Sequence, residues 1–232
     1  MNSSHGKLLL EWGTILGLLG CGYWIFEWTP VETSQGFAQK IMYLHVPTVI
    51  ITYFAFFIVF AFSIAYLWKR DLMFDRIAKA SAEVGLLFCA LVLITGAVWG
   101  RPIWGTYWVW DARLTTTLLL FLIFMGYFLL RMSTDDRDKE SRLAAVIGII
   151  GFLDIPIIHK SVEWWRTLHQ PTTLFKAEEG VAKPSIPDEL LYPLLATMLV
   201  MLLFYFFLLQ LRYRVEASQD ELNLILAQNR ED

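Results

Sequence analysis

The chain has 232 residues, of which 56% are hydrophobic and 18% are charged, and its net charge is −3. A soluble domain usually has about 45–50% apolar and about 25% charged residues, so this composition excludes an ordinary soluble domain. The net charge says little about partners, but nothing in the sequence resembles a basic nucleic-acid-binding patch. These quantities predict a polytopic membrane protein.

The excess of apolar residues falls into six successive runs along the chain: 8–28, 43–68, 84–100, 115–130, 143–159 and 190–211. A helix needs about 20 such residues to cross the hydrocarbon core of a bilayer, and it satisfies its own backbone hydrogen bonds there. We predict an all-α bundle of six transmembrane helices, the third to fifth extending a few residues beyond their apolar runs. Residues 1–232 form a single membrane domain, whose tail at 212–232 is expected to continue the last helix.

The lysines and arginines are distributed unevenly between two alternating sets of connecting segments. One set carries 12 basic residues: 1–7, 69–83, 131–142 and 212–232. The other set has a similar total length but carries 7: 29–42, 101–114 and 160–189. Because basic residues accumulate on the cytoplasmic side of a membrane, we expect the first set and both termini to be cytoplasmic. The two short connections in this set are expected to be solvated.

The segment 99–115, WGRPIWGTYWVWDARLT, combines flat rings with a few charges between two apolar runs. The rings are Trp99, Trp104, Tyr107, Trp108 and Trp110, and the charged residues are Arg101, Asp111 and Arg113. Such rings suit the face of a flat macrocycle, and an arginine guanidinium can pair with a carboxylate that the macrocycle carries. Tryptophan and tyrosine also gather at membrane interfaces in general. From the residues alone, the segment can be interpreted either as a haem platform or as an interfacial aromatic belt.

Three histidines lie near the ends of the spans on the expected outer side. His45 opens the second span, and His159 lies near the end of the fifth. His169 stands in VEWWRTLHQP, where a short helix ended by Pro171 would place it on the same face as Trp165. A single histidine at a membrane boundary is more often structural. Several facing an aromatic segment favour an axial ligand of haem iron.

Three motifs in this order carry a resemblance to a known family: YLHVP, WGTYWVWDARLT and PIIHKSVEWWRTLHQ. The second resembles the WWD signature of haem-handling proteins, and together they resemble the CcmC family, the haem-handling membrane subunits of cytochrome c maturation. The similarity runs from about residue 36 to 171. It implies that His45 and His169 are the axial ligands of a haem b, with the segment 99–115 as its outer platform. Tyr107 stands where the family usually has a tryptophan, and His159 matches a position that is not an axial ligand.

The resemblance also implies partners and a location. These are the haem chaperone CcmE, which receives the haem covalently on a histidine of its own, the ATP-binding cassette subunits CcmA and CcmB, and the small membrane subunit CcmD. The location is the bacterial inner membrane, with the haem site facing the periplasm. The chain has no GxxxxGK[ST] motif. It is therefore expected to handle and transfer haem, with ATP used by its partners, rather than to act as an enzyme.

Two other functions remain open at this point. A secondary transporter would use ionisable groups within its spans, here Glu11, Glu27 and Asp154, but no internal repeat typical of transporters is visible. A structural assembly subunit would bind no haem. Asp154 is otherwise expected to bond to a neighbouring helix, for example at Thr95. Cys21 and Cys89 fall in opposite halves of the bilayer and are expected to stay unpaired.

Overall fold

The computed structural model describes residues 3–134, 136–169, 176–178, 181–183 and 186–231. Within these residues the chain forms helices α1 (Ser3–Tyr23), α2 (Met42–Lys69), α3 (Leu72–Trp104), α4 (Ala112–Met132), α5 (Arg137–Phe152), α6 (Asp154–Trp164) and α7 (Asp188–Glu231). A π-helical turn, Trp24–Trp28, extends α1, and a 3-10 helix, Phe37–Ile41, leads into α2. Strands β1 (Lys176–Glu178) and β2 (Val181–Lys183) form a short antiparallel pair between α6 and α7.

Six segments are long and apolar enough to cross a membrane: Gly6–Trp28, Phe37–Lys69, Leu72–Trp104, Ala112–Met132, Arg137–Trp164 and Asp188–Leu222. The predicted six-span all-α bundle is confirmed. The fifth span consists of α5 and α6, which meet at Leu153. Pro156, which lacks a backbone N–H, lies in the first turn of α6, where that donor is not needed.

The connection between α2 and α3 is shorter than the sequence predicted. Only Arg70 and Asp71 separate the two helices, and the Asp71 carboxylate accepts the backbone N–H of Met73 at 2.8 Å. The prediction of a solvated connector at 69–83 was therefore wrong. The charged residues from Asp75 to Glu83 belong to α3 and form ion pairs with other helices.

A group of buried charges lies at this end of the bundle and is called the charged cluster here. Asp75 is 2% exposed and accepts hydrogen bonds from Arg131 at 2.5 Å and from Ser141 at 2.9 Å. Arg131 also donates to Glu140 at 2.8 Å, and Arg137 lies 3.2 Å from Asp75. The cluster joins the start of α3, the end of α4 and the start of α5.

The predicted helical continuation of the tail is confirmed, since α7 runs to Glu231. Its first turns beyond the bundle are held by two ion pairs, Arg76–Asp220 at 2.6 Å and Lys79–Glu216 at 2.5 Å. Farther along α7, Leu222, Ile225 and Leu226 are exposed.

Helix α2 is central and packs along α3, α5 and α7. Its Phe56 ring stacks on Phe124 of α4 with 3.7 Å between centroids. Close approach to α3 and α5 depends on glycine, because a Cβ added at Gly85 would lie 2.8 Å from Phe56 and one at Gly148 would lie 2.8 Å from Val59. Cys21 and Cys89 are both buried and free, as predicted.

The bundle therefore has two chemically different ends. The charged end holds the charged cluster and the two ion pairs of α7. The opposite end, called the aromatic end here, holds the start of α2, the end of α3, the start of α4 and the residues after α6, which bear the predicted site residues.

Candidate functional site

A cavity of about 450 Å³ opens at the aromatic end, between α2, α3, α4 and the residues that follow α6. Most of its wall is apolar. The predicted site residues and the third histidine that line it are His45, Trp99, Trp104, Trp108, Arg113, His159 and His169. Pockets for small molecules and cofactors usually measure about 300–1,000 Å³ and combine apolar walls with a few polar groups. This cavity has both properties.

His45 lies in the first turn of α2 and is 8% exposed. Its Nδ1 is 2.9 Å from the hydroxyl oxygen of Thr95. That hydroxyl donates its single hydrogen to the carbonyl of Leu91 at 2.6 Å, so it accepts from His45. Nδ1 therefore carries the proton and Nε2 keeps a lone pair, which is the form in which an imidazole binds a metal.

The residues just before His45 are fastened to the end of the first span by Lys40. Its ammonium group is buried and donates to the carbonyls of Ile25 at 2.6 Å, Thr29 at 3.2 Å and Phe26 at 3.3 Å. An ammonium has three hydrogens to donate, so its hydrogen-bonding capacity is filled. This contact fixes the entry of the chain into α2.

Helix α3 carries a glycine, Gly96, beside the His45 ring, and the missing side chain leaves space for that ring. A Cβ added at Gly96 would lie 3.1 Å from His45 Cε1. One turn later in α3, the Trp99 ring meets the imidazole edge-on, with centroids 5.7 Å apart. The Trp99 indole donates to Gln35 at 3.1 Å, which ties the cavity wall to the loop after the first span.

That loop is ordered by Glu32. Its carboxylate accepts the backbone N–H of Ser34 at 2.9 Å and of Gln35 at 2.6 Å. These donors hold the pKa of Glu32 below its usual value. The turn places Gln35, which lines the cavity, next to Trp99.

His169 does not lie on a helix, so the prediction of a short helix through this residue was wrong. Helix α6 ends at Trp164, and Trp165 is extended with φ −130° and ψ 159°. The carboxylate of Asp111 accepts the backbone N–H of Leu168 at 3.3 Å. This bond holds the segment beside the tryptophan-rich stretch. Pro171, expected to end the helix, lies outside the described residues.

The His169 side chain faces the tryptophan-rich segment. Its Nδ1 is 3.0 Å from Nη1 of Arg113, in the first turn of α4. Its ring meets Trp104 at 6.3 Å between centroids and an interplanar angle of 62°. The structure therefore brings His45 and His169, from distant parts of the sequence, to the wall of one cavity.

Two glycines shape the tryptophan-rich segment. Gly105 has a φ of 77° and ends α3 directly after Trp104, a conformation that favours glycine. A Cβ at Gly100 would lie 2.8 Å from the Trp104 ring, so the absence of a side chain there admits that ring. Beyond the turn, Trp108 lines the cavity, and its buried indole nitrogen has no hydrogen-bond partner among the described residues.

Four of the predicted site residues do not line the cavity. Tyr107 and Trp110 are 59% and 77% exposed. Arg101 donates to a carbonyl in the turn after α3, and its guanidinium lies over the Tyr107 ring at 5.6 Å. Asp111 caps α4 by accepting the backbone N–H of Leu114 at 2.9 Å, so it orients backbone donors.

A family model described as "Heme exporter protein C" matches residues 4–227. The chain belongs to this family, CcmC. Proteins with that name are similar to it in Haemophilus influenzae, at 39% identity over 89% of this chain and 82% of the relative. A Bradyrhizobium diazoefficiens protein is 40% identical over 77% of this chain and 66% of its own length. The Escherichia coli K12 protein is 43% identical, and the match covers 65% of this chain and 61% of the relative.

The predicted ligands of this CcmC-family chain do not form a protein-only metal site. Among the described residues, no three histidine, cysteine, aspartate or glutamate side chains converge as they would around a metal ion. Two imidazoles on an apolar wall instead suit an iron already held by four nitrogens of a macrocycle. The indole N–H of Trp108, which has no partner among the described residues, and the cation Arg113 add polar groups that such a ligand can contact.

Sequence reasoning missed several residues that position this site. Thr95 was considered only as a partner of Asp154, but its hydroxyl serves His45. Asp154 Oδ2 is buried and has no hydrogen-bond partner among the described residues, so the predicted bond is not formed. Lys40 and Gln35 were not identified at all. The only signal for these residues is the presence of a polar side chain within or beside an apolar run.

Proposed function

We propose that this chain binds haem b in the cavity at its aromatic end, with His45 and His169 as axial ligands, and presents it for c-type cytochrome maturation. The observation that carries the proposal is that these two histidines share one apolar cavity. Membership of the heme exporter protein C family supports the choice of haem as the ligand.

The chemistry of the cavity suits this ligand. His45 is held with a lone pair on Nε2 by its bond to Thr95. The rings of Trp99, Trp104 and Trp108 on the wall stabilise a flat macrocycle by burial and stacking. Arg113 is the cation on this wall that matches a propionate. Haem supplies the iron, and the chain holds, orients and shields it.

We further propose that the haem passes to the periplasmic chaperone CcmE, and that CcmA, CcmB and CcmD complete the assembly in the inner membrane. Trp110 is exposed and its ring contacts Trp108 at 5.5 Å, so an approaching partner meets an aromatic surface continuous with the cavity. The distribution of basic residues favours a periplasmic aromatic end.

The groups expected of a secondary transporter do not gather at this cavity. Glu11, Glu27 and Asp154 are all absent from its lining. Nothing in the part of the chain that the structure describes favours a transporter over haem handling.

The test is an absorption spectrum of the protein purified with haem. We expect a six-coordinate, low-spin spectrum. His45→Ala and His169→Ala are each expected to lose it together with most of the bound haem, whereas His5→Ala, near the N-terminus, serves as the matched control. Unchanged Soret and alpha bands in both cavity variants would exclude these residues as ligands.

A second measurement tests presentation. Replacing Trp108 and Trp110 together is expected to reduce loading of CcmE more strongly than it reduces bound haem. Loading at the normal rate would indicate that these rings form only an interfacial belt.

A further inference from the structure

The two proposed ligands are held in opposite ways in this structure. His45 donates from Nδ1 to the Thr95 hydroxyl. His169 contacts Arg113 Nη1 through its own Nδ1 at 3.0 Å. A guanidinium has donors and no acceptor. The Nδ1 of His169 must therefore be the acceptor, and its lone pair is directed to Arg113.

This contact has a consequence for iron binding. A neutral imidazole has one protonated and one lone-pair nitrogen. With its Nδ1 lone pair given to Arg113, His169 carries its proton on Nε2, so neither nitrogen can bind iron while the contact lasts. Ligation through Nδ1 needs the lone pair that Arg113 occupies, and ligation through Nε2 needs the proton on Nδ1, which then no longer accepts.

The charge of Arg113 indicates what breaks the contact. The guanidinium lines the cavity, and among the described residues no carboxylate lies within ion-pair distance of it. The nearby carboxylate of Asp111 instead accepts hydrogen bonds from the backbone N–H groups of Leu114 and Leu168. An arginine that is unpaired with an anion on an apolar wall binds a carboxylate more strongly than it binds a neutral imidazole.

We propose that Arg113 is a latch on His169, and that a carboxylate of the incoming porphyrin opens it. This inference rests on the proposed haem-binding function and names the feature of the ligand that is selected. His45 binds the iron first, and a carboxylate on the macrocycle edge draws Arg113 away from His169. His169 then completes the coordination. The device makes the second ligand available only to a porphyrin that carries free carboxylates.

The exchange is balanced. One guanidinium–imidazole hydrogen bond breaks, and one guanidinium–carboxylate pair and one iron–nitrogen bond form. If His169 binds through Nδ1, its proton stays on Nε2. If it binds through Nε2, the same proton moves to Nδ1. No proton or electron enters or leaves, so no further reactant is needed.

The first test uses the haem-free protein with ¹⁵N-labelled histidine. Protonated and lone-pair ring nitrogens differ clearly in ¹⁵N chemical shift, and single histidine variants assign the signals. We expect the lone pair of His169 on Nδ1 and that of His45 on Nε2. Arg113→Met is expected to change the His169 signals and leave those of His45 in place. A wild-type His169 protonated on Nδ1 would overturn the latch.

The second test compares ferric protoporphyrin IX with its dimethyl ester, which lacks free carboxylates. Wild-type protein is expected to bind the acid as a low-spin, six-coordinate complex. It should bind the ester on the order of tenfold more weakly, with one histidine and a high-spin spectrum. In Arg113→Met both compounds should give the low-spin spectrum with similar affinity. Arg166→Met, an exposed arginine three residues from His169 that does not line the cavity, is the matched control and should behave as wild type.

The outcomes separate this inference from the function on which it rests. A low-spin complex of the ester with wild-type protein would refute the latch while leaving haem binding intact. Selection for free carboxylates that persists in Arg113→Met would do the same. If wild-type protein forms no histidine-ligated complex with either porphyrin, the haem-binding function is refuted and the latch with it.

Discussion

Thr95→Val tests whether the bond between Thr95 and His45 prepares the site. Valine has nearly the shape of threonine, so the packing of the buried residue 95 is kept while the hydroxyl is lost. The Nδ1–H of His45 then has no acceptor at the position where Thr95 Oγ1 stands, 2.9 Å away. The imidazole loses the partner that fixes both its orientation and its protonated nitrogen.

The expected magnitude follows from the burial of this pair. His45 and Thr95 are both 8% exposed, so water does not readily replace the lost acceptor. Leaving a buried donor unsatisfied costs about 1–3 kcal/mol. Part of that cost also falls on the haem-free protein. We therefore expect the haem dissociation constant to rise about 10-fold, within the range of about 10–100-fold usual for partners of metal ligands.

The assay is a haem titration of the purified protein, followed through the Soret band. Thr95→Ser keeps the hydroxyl and is expected to stay within about threefold of wild type, a difference of less than 1 kcal/mol. Equal affinity and identical spectra for wild type and Thr95→Val would refute the argument that this hydroxyl prepares His45.

Three further changes test other parts of the structure. Gly96→Ala places a Cβ 3.1 Å from the imidazole beside it, so we expect a shifted haem spectrum with nearly unchanged thermal stability. Arg131→Met leaves the carboxylates of Asp75 and Glu140 with Arg137, which is partly exposed and lies 3.2 Å from each, as their remaining cation, and the free energy of unfolding should fall by about 3 kcal/mol, measured by denaturant titration. A cysteine at Ser34 should react with an impermeant maleimide on intact cells, and one at Ser133 should not, if the aromatic end faces the periplasm.

Each of these has its own contradicting result. Gly96→Ala with a wild-type spectrum would show that the ring has room to spare. Arg142→Met removes an exposed ion pair, expected to contribute about 0.2–1 kcal/mol. If Arg131→Met lowers the free energy of unfolding by no more than Arg142→Met does, the charged cluster contributes little to stability. Labelling of the cysteine at position 133 but not of the one at position 34 would show that the charged end, and not the aromatic end, faces the periplasm.

The sequence predicted the number of spans and the convergence of His45 and His169 on one site because these depend on local or strongly patterned signals. Six apolar runs determine six helices almost independently of their packing. The motifs around His45, Trp108 and His169 identify the family, and this fixes which end of which span they occupy.

Other features depend on partners that a single sequence does not reveal. Asp75 was assigned to a solvated connector because its neighbours are charged, whereas it is neutralised by Arg131 of α4. The segment before His169 was given a helical period, but a contact from Asp111 holds Leu168 in a non-helical bend. The selection of Arg113 over Arg101 as the cavity cation follows from the turn at Gly105, which directs the two arginines to different surroundings.

The charged cluster has a mechanical consequence for the far side of the bundle. Salt bridges join α3, α4, α5 and α7 at the charged end, while loops and the cavity separate the helices at the aromatic end. The ion pairs hold the helices together at the charged end, whereas no comparable set of ion pairs is formed by the described residues around the cavity. We therefore expect motions of the helices to widen the mouth of the cavity more than they change the charged end.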